Sequence, residues 1–176
     1  MIITERFLKY VSFCTTSDEQ TNMTPSTPGQ MEFAKYLADE LRAIGMQEVT
    51  LDDNGYVMAT LPANVEGKPT IGFIAHMDTV SEFTEGEIRP ILTPDYNGED
   101  LPLGDSGRVL TVKNFPHLPS LKGRTLITSD GTTILGVDNK AGIAEIMTMV
   151  ERLRDENIPH GQSSCVNTHC TTPRPI

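Results

Sequence analysis

The chain has 176 residues, 38% hydrophobic and 22% charged, with a formal net charge of −10 and a pI near 4.8. That length holds one domain with a real core, while the acidic balance excludes a nucleic-acid binder built on clustered Lys and Arg and disfavours an anionic membrane surface. In MIITERFLKYV, Glu5, Arg6 and Lys9 break any signal-like apolar run, and no stretch approaches the roughly 18 apolar residues of a membrane span, so a cytoplasmic location is expected.

Ile3, Phe7, Tyr10 and Val11 fall at helical spacing and predict a short amphipathic helix over 2–12. The polar stretch TTSDEQTNMTPSTPG is a loop that ends in a helix start, with Thr27 as cap and Pro28 in the first turn. Met31, Ala34, Leu37, Ala38 and Leu41 form that helix's apolar face, and Gly45 closes it. In EVTLDDNGYVMATLP, Asn54-Gly55 marks a hairpin turn between two strands. GKPTIGFIAHMD reads as a short, almost wholly apolar strand, the pattern of one buried on both faces in a parallel sheet.

Residues 84–122 are rich in proline and turn residues and read as an excursion with short strands near 88–92 and 108–112. Its length points to a functional loop. A short strand follows at Thr125–Thr128. A helix then runs from Asn139 to about Asp155, its buried stripe made by Ile143, Ile146, Met147, Val150 and Leu153. This order of elements predicts an α/β or α+β layered domain.

From Gln162 the character changes. QSSCVNTHCTTPRPI has one aliphatic residue, Val166, and neither strand nor helix periodicity, so 162–176 is expected to be a disordered tail. So abrupt a change suggests a shifted reading frame or an alternative C-terminus. Cys14, Cys165 and Cys170 make no disulfide framework and suit a reducing compartment.

Two constellations carry chemistry. His76 stands at the end of an apolar strand, where α/β sheets present ligands, and Asp78 returns toward the same face two residues on. A ligating imidazole needs its other nitrogen held by a carboxylate or carbonyl, so His-x-Asp suits a ligand with its orienter. The plain alternative is a hydrogen-bonded histidine and a turn-starting aspartate. In SDGTTILGVDNKAG, Asp138 sits at a helix start, where a carboxylate either caps the helix or reaches across to an imidazole and bridges two cations. Asp130-Gly131 reads as a turn, and His117 and His160 as surface residues. Lys140 has no assigned role. Cys165, His169 and Cys170 lack the second pair that a structural zinc site needs.

FIAHMDTV and DGTTILGVDNKAGIAE together resemble the two N-terminal metal motifs of the di-zinc aminopeptidase and deacylase superfamily, in particular its tripeptide-aminopeptidase branch. The likeness runs from ITERFLKYVSFCTTSDE to ENIPHG and takes in residues 1–161. It implies a three-layer, zinc-peptidase-like α/β catalytic domain with a mixed, mostly parallel sheet, here incomplete, of which 1–161 is the N-terminal part. It also implies that His76 binds zinc, that Asp78 is the catalytic-site residue that orients and tunes His76, and that Asp138 bridges two zinc ions. The implied substrate is a small peptide, a tripeptide losing its N-terminal residue, and the implied intact enzyme is a homodimer. A Glu-Glu pair supplying the general base and a further ligand would fall, counted without gaps, at Thr171 and Thr172, and neither hydroxyl replaces a carboxylate. The chain alone is therefore expected to be inactive. Two other readings stay open: another amidase or carboxypeptidase of the same superfamily, and a non-catalytic fragment.

Overall fold

The computed structural model describes residues 1–83 and 86–168. In chain order the elements are α1 (Ile3–Val11), α2 (Pro28–Ile44), β1 (Gln47–Leu51), β2 (Val57–Leu61), β3 (Ile71–His76), β4 (Pro90–Thr93), β5 (Leu101–Pro102), β6 (Val109–Leu110), β7 (Leu126–Ser129), α3 (Val137–Asp155) and β8 (Ser163–Thr168). A short 3-10 helix, Leu118–Leu121, precedes β7. Met1–Ser81 and the described residues from Gly136 on form one compact unit, and Glu82–Leu135 forms another. Among the described residues no helix is long and apolar enough to cross a membrane.

The helices of the first unit follow their apolar spacing. Phe7, Tyr10 and Val11 of α1 are buried, but Ile3 is exposed and Arg6 is buried in its place. Proline starts α2 as expected, and Gly45 ends it with φ at 89°, in the left-handed region that favours glycine. Thr27 precedes the helix, but its hydroxyl donates to the Thr16 carbonyl at 2.8 Å instead of capping. Phe33, Ala34, Leu37, Ala38, Leu41 and Ile44 make the buried face together with Gln30, and Met31 is only half-buried. In α3 the buried side chains are Ile143, Ala144, Met147, Val150 and Lys140.

Arg6 joins the three helices. Its guanidinium donates to Glu40 of α2 at 2.8 Å and, on α3, to the Thr148 hydroxyl at 2.7 Å and Glu151 at 2.9 Å. Tyr10 donates to the other oxygen of Glu40 at 2.8 Å. A buried charge is tolerated when its hydrogen-bonding groups are met in this way.

The four strands of this unit lie in the order β1-β2-β8-β3. The hairpin forms where Asn54-Gly55 places it, and the Asp52 carboxylate accepts from the N–H groups of Asn54 at 3.0 Å and Tyr56 at 2.8 Å. The sheet is mixed as expected. The parallel majority is not found among its described pairings, since β1–β2 and β2–β8 are antiparallel and only β3–β8 is parallel.

Three expectations are corrected here. The stretch from Gln162 is not disordered throughout, because Ser163–Thr168 is β8, in register with β2 and β3: Cys165 lies between Ala59 and Phe73, and Val166 between Met58 and Ile74. Strand pairing uses backbone N–H and C=O, which Ser and Asn supply as well as Val. Residues 169–176 lie outside the described residues. Second, β3 is not buried on both faces: Ala75 is buried, while Ile71 is 50% and Ile74 70% exposed. Val57, Ala59, Leu61, Ser163 and Cys165 are also buried, so one face of the sheet is covered. The opposite face, with Met58 and Ile74 exposed, carries no layer among the described residues, and two of the three expected layers are seen.

Third, the stretch read as a loop is a small unit with its own core. There β4 pairs with β7 and β5 with β6, both antiparallel. Tyr96, Leu101 and Leu118 are buried together, with Leu110, Val112, Leu121 and Leu126 packed against them.

Candidate metal centre

His76 is the last residue of β3. The chain beyond it, Met77–Thr79, is held by the segment after α1. The Thr15 hydroxyl donates to the Met77 carbonyl at 2.7 Å, the Thr79 N–H to the Thr15 carbonyl at 3.1 Å, and the Ser17 N–H to the Thr79 carbonyl at 2.9 Å. Between these clamps lies Asp78, whose Oδ2 accepts from the Ser17 hydroxyl at 3.1 Å.

The imidazole of His76 is gripped at one end. Its Nδ1 stands 3.1 Å from the Asp78 carbonyl and 3.3 Å from Asp78 Oδ1. Both are acceptors, so Nδ1 carries the proton. At the other end Nε2 lies 3.0 Å from Asp138 Oδ1. The side chain of Asp78 is 10% exposed, that of His76 30% and that of Asp138 92%.

Asp138 reaches this position because the first residues of α3 are not helical. Its own φ and ψ are −88° and 106°, and those of Asn139 are −121° and 35°. Capping falls to Asn139, whose Oδ1 accepts from the Gly142 N–H at 3.2 Å. A Cβ on Gly142 would stand 2.3 Å from that oxygen, so the cap requires glycine there. The cap reading of Asp138 is thus displaced by one residue, and its carboxylate is left to face His76.

Lys140, left without a role by the sequence, is fully buried two residues after Asp138. Its ammonium donates to the Phe13 carbonyl at 2.7 Å and lies 5.8 Å from the Phe33 ring centroid. Burial pushes it down to about 8 from 10.5. The remaining candidates lie elsewhere. His117 is exposed at the start of the 3-10 helix, and His160 is half-buried with Nδ1 2.7 Å from the Gly161 carbonyl. Asp130 makes the expected turn, accepting from the Thr132 N–H at 2.8 Å and hydroxyl at 2.6 Å. Cys165 is buried, and its thiol is pushed up to about 11 by that burial. His169, Cys170, Thr171 and Thr172 lie outside the described residues.

The donor set suits a metal ion. With Nδ1 protonated, the neutral ring turns its Nε2 lone pair toward a carboxylate oxygen 3.0 Å away, two donors that a metal ion between them would hold, whereas in the imidazolium Nε2–H donates to that oxygen directly. Two donors of a tetrahedral zinc, each about 2.0–2.1 Å from the ion, stand about 3.3 Å apart. The observed spacing is close to that. Among the described residues no cluster of three or more His, Cys, Asp or Glu side chains forms a complete metal-binding set. The structure brings together His76, Asp78 and Asp138, the residues singled out by the two motifs. Sequence reading missed Ser17 and Asn139, whose roles depend on contacts far along the chain or on local backbone shape.

Comparison with known structures places this architecture in the zinc-peptidase-like fold class. The aminopeptidase PepT from Bacillus cereus superposes with a TM-score of 0.63 and 27% sequence identity, over 95% of this chain and 35% of that one. A tripeptidase from Staphylococcus aureus gives 0.60 at 24% identity, over 95% and 35%, and shares the fold. An aminoacylhistidine dipeptidase from Vibrio alginolyticus gives 0.57 at 19% identity, over 98% and 28%, and likewise shares the fold. No protein-family model matches the chain.

In sequence, the chain is 55% identical to Peptidase T of a Geobacillus species over 163 residues, which is 91% of this chain and 40% of the relative. It is 52% identical to Peptidase T of Brevibacillus brevis over 91% of this chain and 40% of that one, and 54% identical to Peptidase T of Bacillus velezensis over 90% and 40%. The chain therefore spans about 40% of the length of the curated relatives it matches. The resemblance carried by the two motifs is a resemblance to Peptidase T, and by that resemblance the chain is an aminopeptidase-like sequence.

Proposed function

We propose that this chain contributes His76, Asp78 and Asp138 to the centre of a di-zinc exopeptidase that releases the N-terminal residue of tripeptides. The observation that carries the reading is the His76 imidazole, held at Nδ1 by Asp78 and facing Asp138 through Nε2 at 3.0 Å. The likeness to Peptidase T supports the peptidase class, and the relatives' name bears on the substrate. In this reading residues 1–161 are the family-like part of the catalytic domain, 162–176 are a non-family tail, the protein works in the cytoplasm, and the whole enzyme is a homodimer.

Each residue has a distinct task. His76 offers Nε2 as a neutral nitrogen donor, because its proton is committed to Nδ1. Asp78 fixes the orientation of the ring and its tautomer. Asp138, exposed and with two oxygens, is the residue able to touch two ions at once. Bound zinc would supply Lewis acidity toward water and a peptide carbonyl. A zinc site needs about three or four ligands for each ion, more than His76 and Asp138 provide, so the 176-residue chain by itself is expected not to hydrolyse tripeptides.

The test places residues 1–161 of this chain in the Geobacillus relative, in exchange for the matching stretch, with the unaltered relative assayed alongside. The exchanged enzyme should release N-terminal residues from tripeptides in a zinc-dependent way, leave N-acyl amino acids intact, and lose activity with His76→Ala. A folded exchanged enzyme that prefers N-acyl amino acids would reassign the substrate. One that cleaves neither would overturn the reading.

A further inference from the structure

We propose that Ser17 is a positioning residue of this centre: its hydroxyl, held by Gln30, fixes the Asp78 carboxylate against His76. The inference rests on the metal-site reading above only for its consequence, since the contacts themselves involve protein atoms alone.

The hydrogen bonds converge on the Asp78 carboxylate. Gln30, at the start of α2, is 1% exposed, and its Oε1 accepts from the Ser26 N–H at 2.9 Å. That contact turns the amide so that Nε2 faces the Thr15 carbonyl at 3.2 Å and the Ser17 hydroxyl oxygen at 3.4 Å. Because Ser17 Oγ accepts from Gln30, its own proton goes to Asp78 Oδ2, 3.1 Å away. An aspartate carboxylate turns about its Cβ–Cγ bond, and holding Oδ2 keeps Oδ1 turned toward His76 Nδ1 at 3.3 Å. Gln30 therefore donates to Ser17 and Ser17 to Asp78, whose carboxylate accepts from Ser17 at Oδ2 and from the His76 Nδ1–H at Oδ1.

The backbone separates this role from simple loop anchoring. Ser17 N–H already donates to the Thr79 carbonyl at 2.9 Å, and Thr15 makes two further bonds to the same segment. Those bonds survive removal of the hydroxyl. Ser17→Ala therefore keeps the loop pinned and deletes the hydroxyl's contacts to the Asp78 carboxylate and to Gln30.

The experiment follows the His76 ring in the full 176-residue chain, labelled with 15N, at one neutral pH and without metal. Long-range proton–nitrogen spectra should show the proton on Nδ1, exchanging slowly with water. In Ser17→Ala that exchange should speed up several-fold, and Ser17→Thr, which keeps a hydroxyl, should restore it. Zinc titrated into the same samples should bind about tenfold more weakly to Ser17→Ala, the low end of what outer partners of a metal-binding histidine contribute. Should Ser17→Ala lose its dispersed amide spectrum, Ser17→Val against Ser17→Thr gives the same comparison at nearly equal shape. Unchanged Nδ1 exchange in a folded variant lacking the hydroxyl would overturn the proposal, whatever zinc does. Altered exchange with no zinc response in any sample would uphold the positioning and refute the metal reading.

Discussion

Arg6 and His76 each sit at the centre of a charged cluster in the same unit, and the two clusters are finished differently. The guanidinium of Arg6 is 1% exposed and is met by Glu40, Thr148 and Glu151. His76 is held on one side only, and its other nitrogen faces a carboxylate whose side chain is 92% exposed. A buried charge with all its partners in place ties elements together. An open imidazole–carboxylate pair, with its orienting side already satisfied, is arranged to receive something. Disrupting the first should therefore change stability, and disrupting the second should change binding.

The largest effect on stability is expected at Arg6. Arg6→Met takes the guanidinium from Glu40, which keeps Tyr10, and from Glu151, which keeps the terminal ammonium; breaking a buried pair in this way costs about 3–5 kcal/mol. Chemical denaturation should show that loss. A change below 1 kcal/mol would mean that the helices do not depend on this contact.

Lys140 is next, through pH. Its folded value of about 8 lies below the ordinary 10.5, so between those values the unfolded chain keeps a proton that the folded chain has released. Stability from this group therefore rises across that window, by about 3 kcal/mol in all. The buried Cys165 thiol, at about 11 instead of 9.0, works in the opposite sense between those two values. Subtracting the profile of Lys140→Met from that of the native chain removes the thiol's contribution. A flat difference between pH 8 and 10.5 would contradict the burial of this ammonium.

Asn139→Ala should cost about 1 kcal/mol, the usual loss for a helix cap. Asp138→Ala should alter stability by less than about 0.5 kcal/mol, as expected for an exposed side chain that does not cap the helix. Reversed sizes at these neighbours, read from the same denaturation curves, would return the capping role to Asp138.

What could be read from the sequence followed the range of the forces involved. Pro28 and Gly45 bounded α2 because local backbone geometry sets helix ends, and Asn54-Gly55 located the hairpin for the same reason. His76 and Asp78 stood out by their place at a strand end, while Asp138, which alone reads as a helix cap, stood out through the resemblance of its motif. Arg6 and Lys140 did not, because a charged side chain reads as solvent-facing until its distant partners are known, here Glu40 and Glu151 for one and the Phe13 carbonyl for the other. The strand at Ser163–Thr168 was hidden because it depends on backbone pairing with β2 and β3 and has little contrast in hydropathy. Gln30 lay on the helix stripe that also holds Phe33, Ala34 and Leu37, and its place there was the available sign that a buried amide had a task.

The most direct test of the central claim is the melting temperature of the 176-residue chain with and without zinc, measured beside His76→Ala and Asp138→Asn. Zinc at a hundred times its dissociation constant stabilises by about 2.7 kcal/mol. The native chain should show a rise that saturates with zinc, and both variants should stay flat. A native chain unmoved by zinc, or variants that respond as the native chain does, would contradict the assignment of His76 and Asp138 as metal ligands.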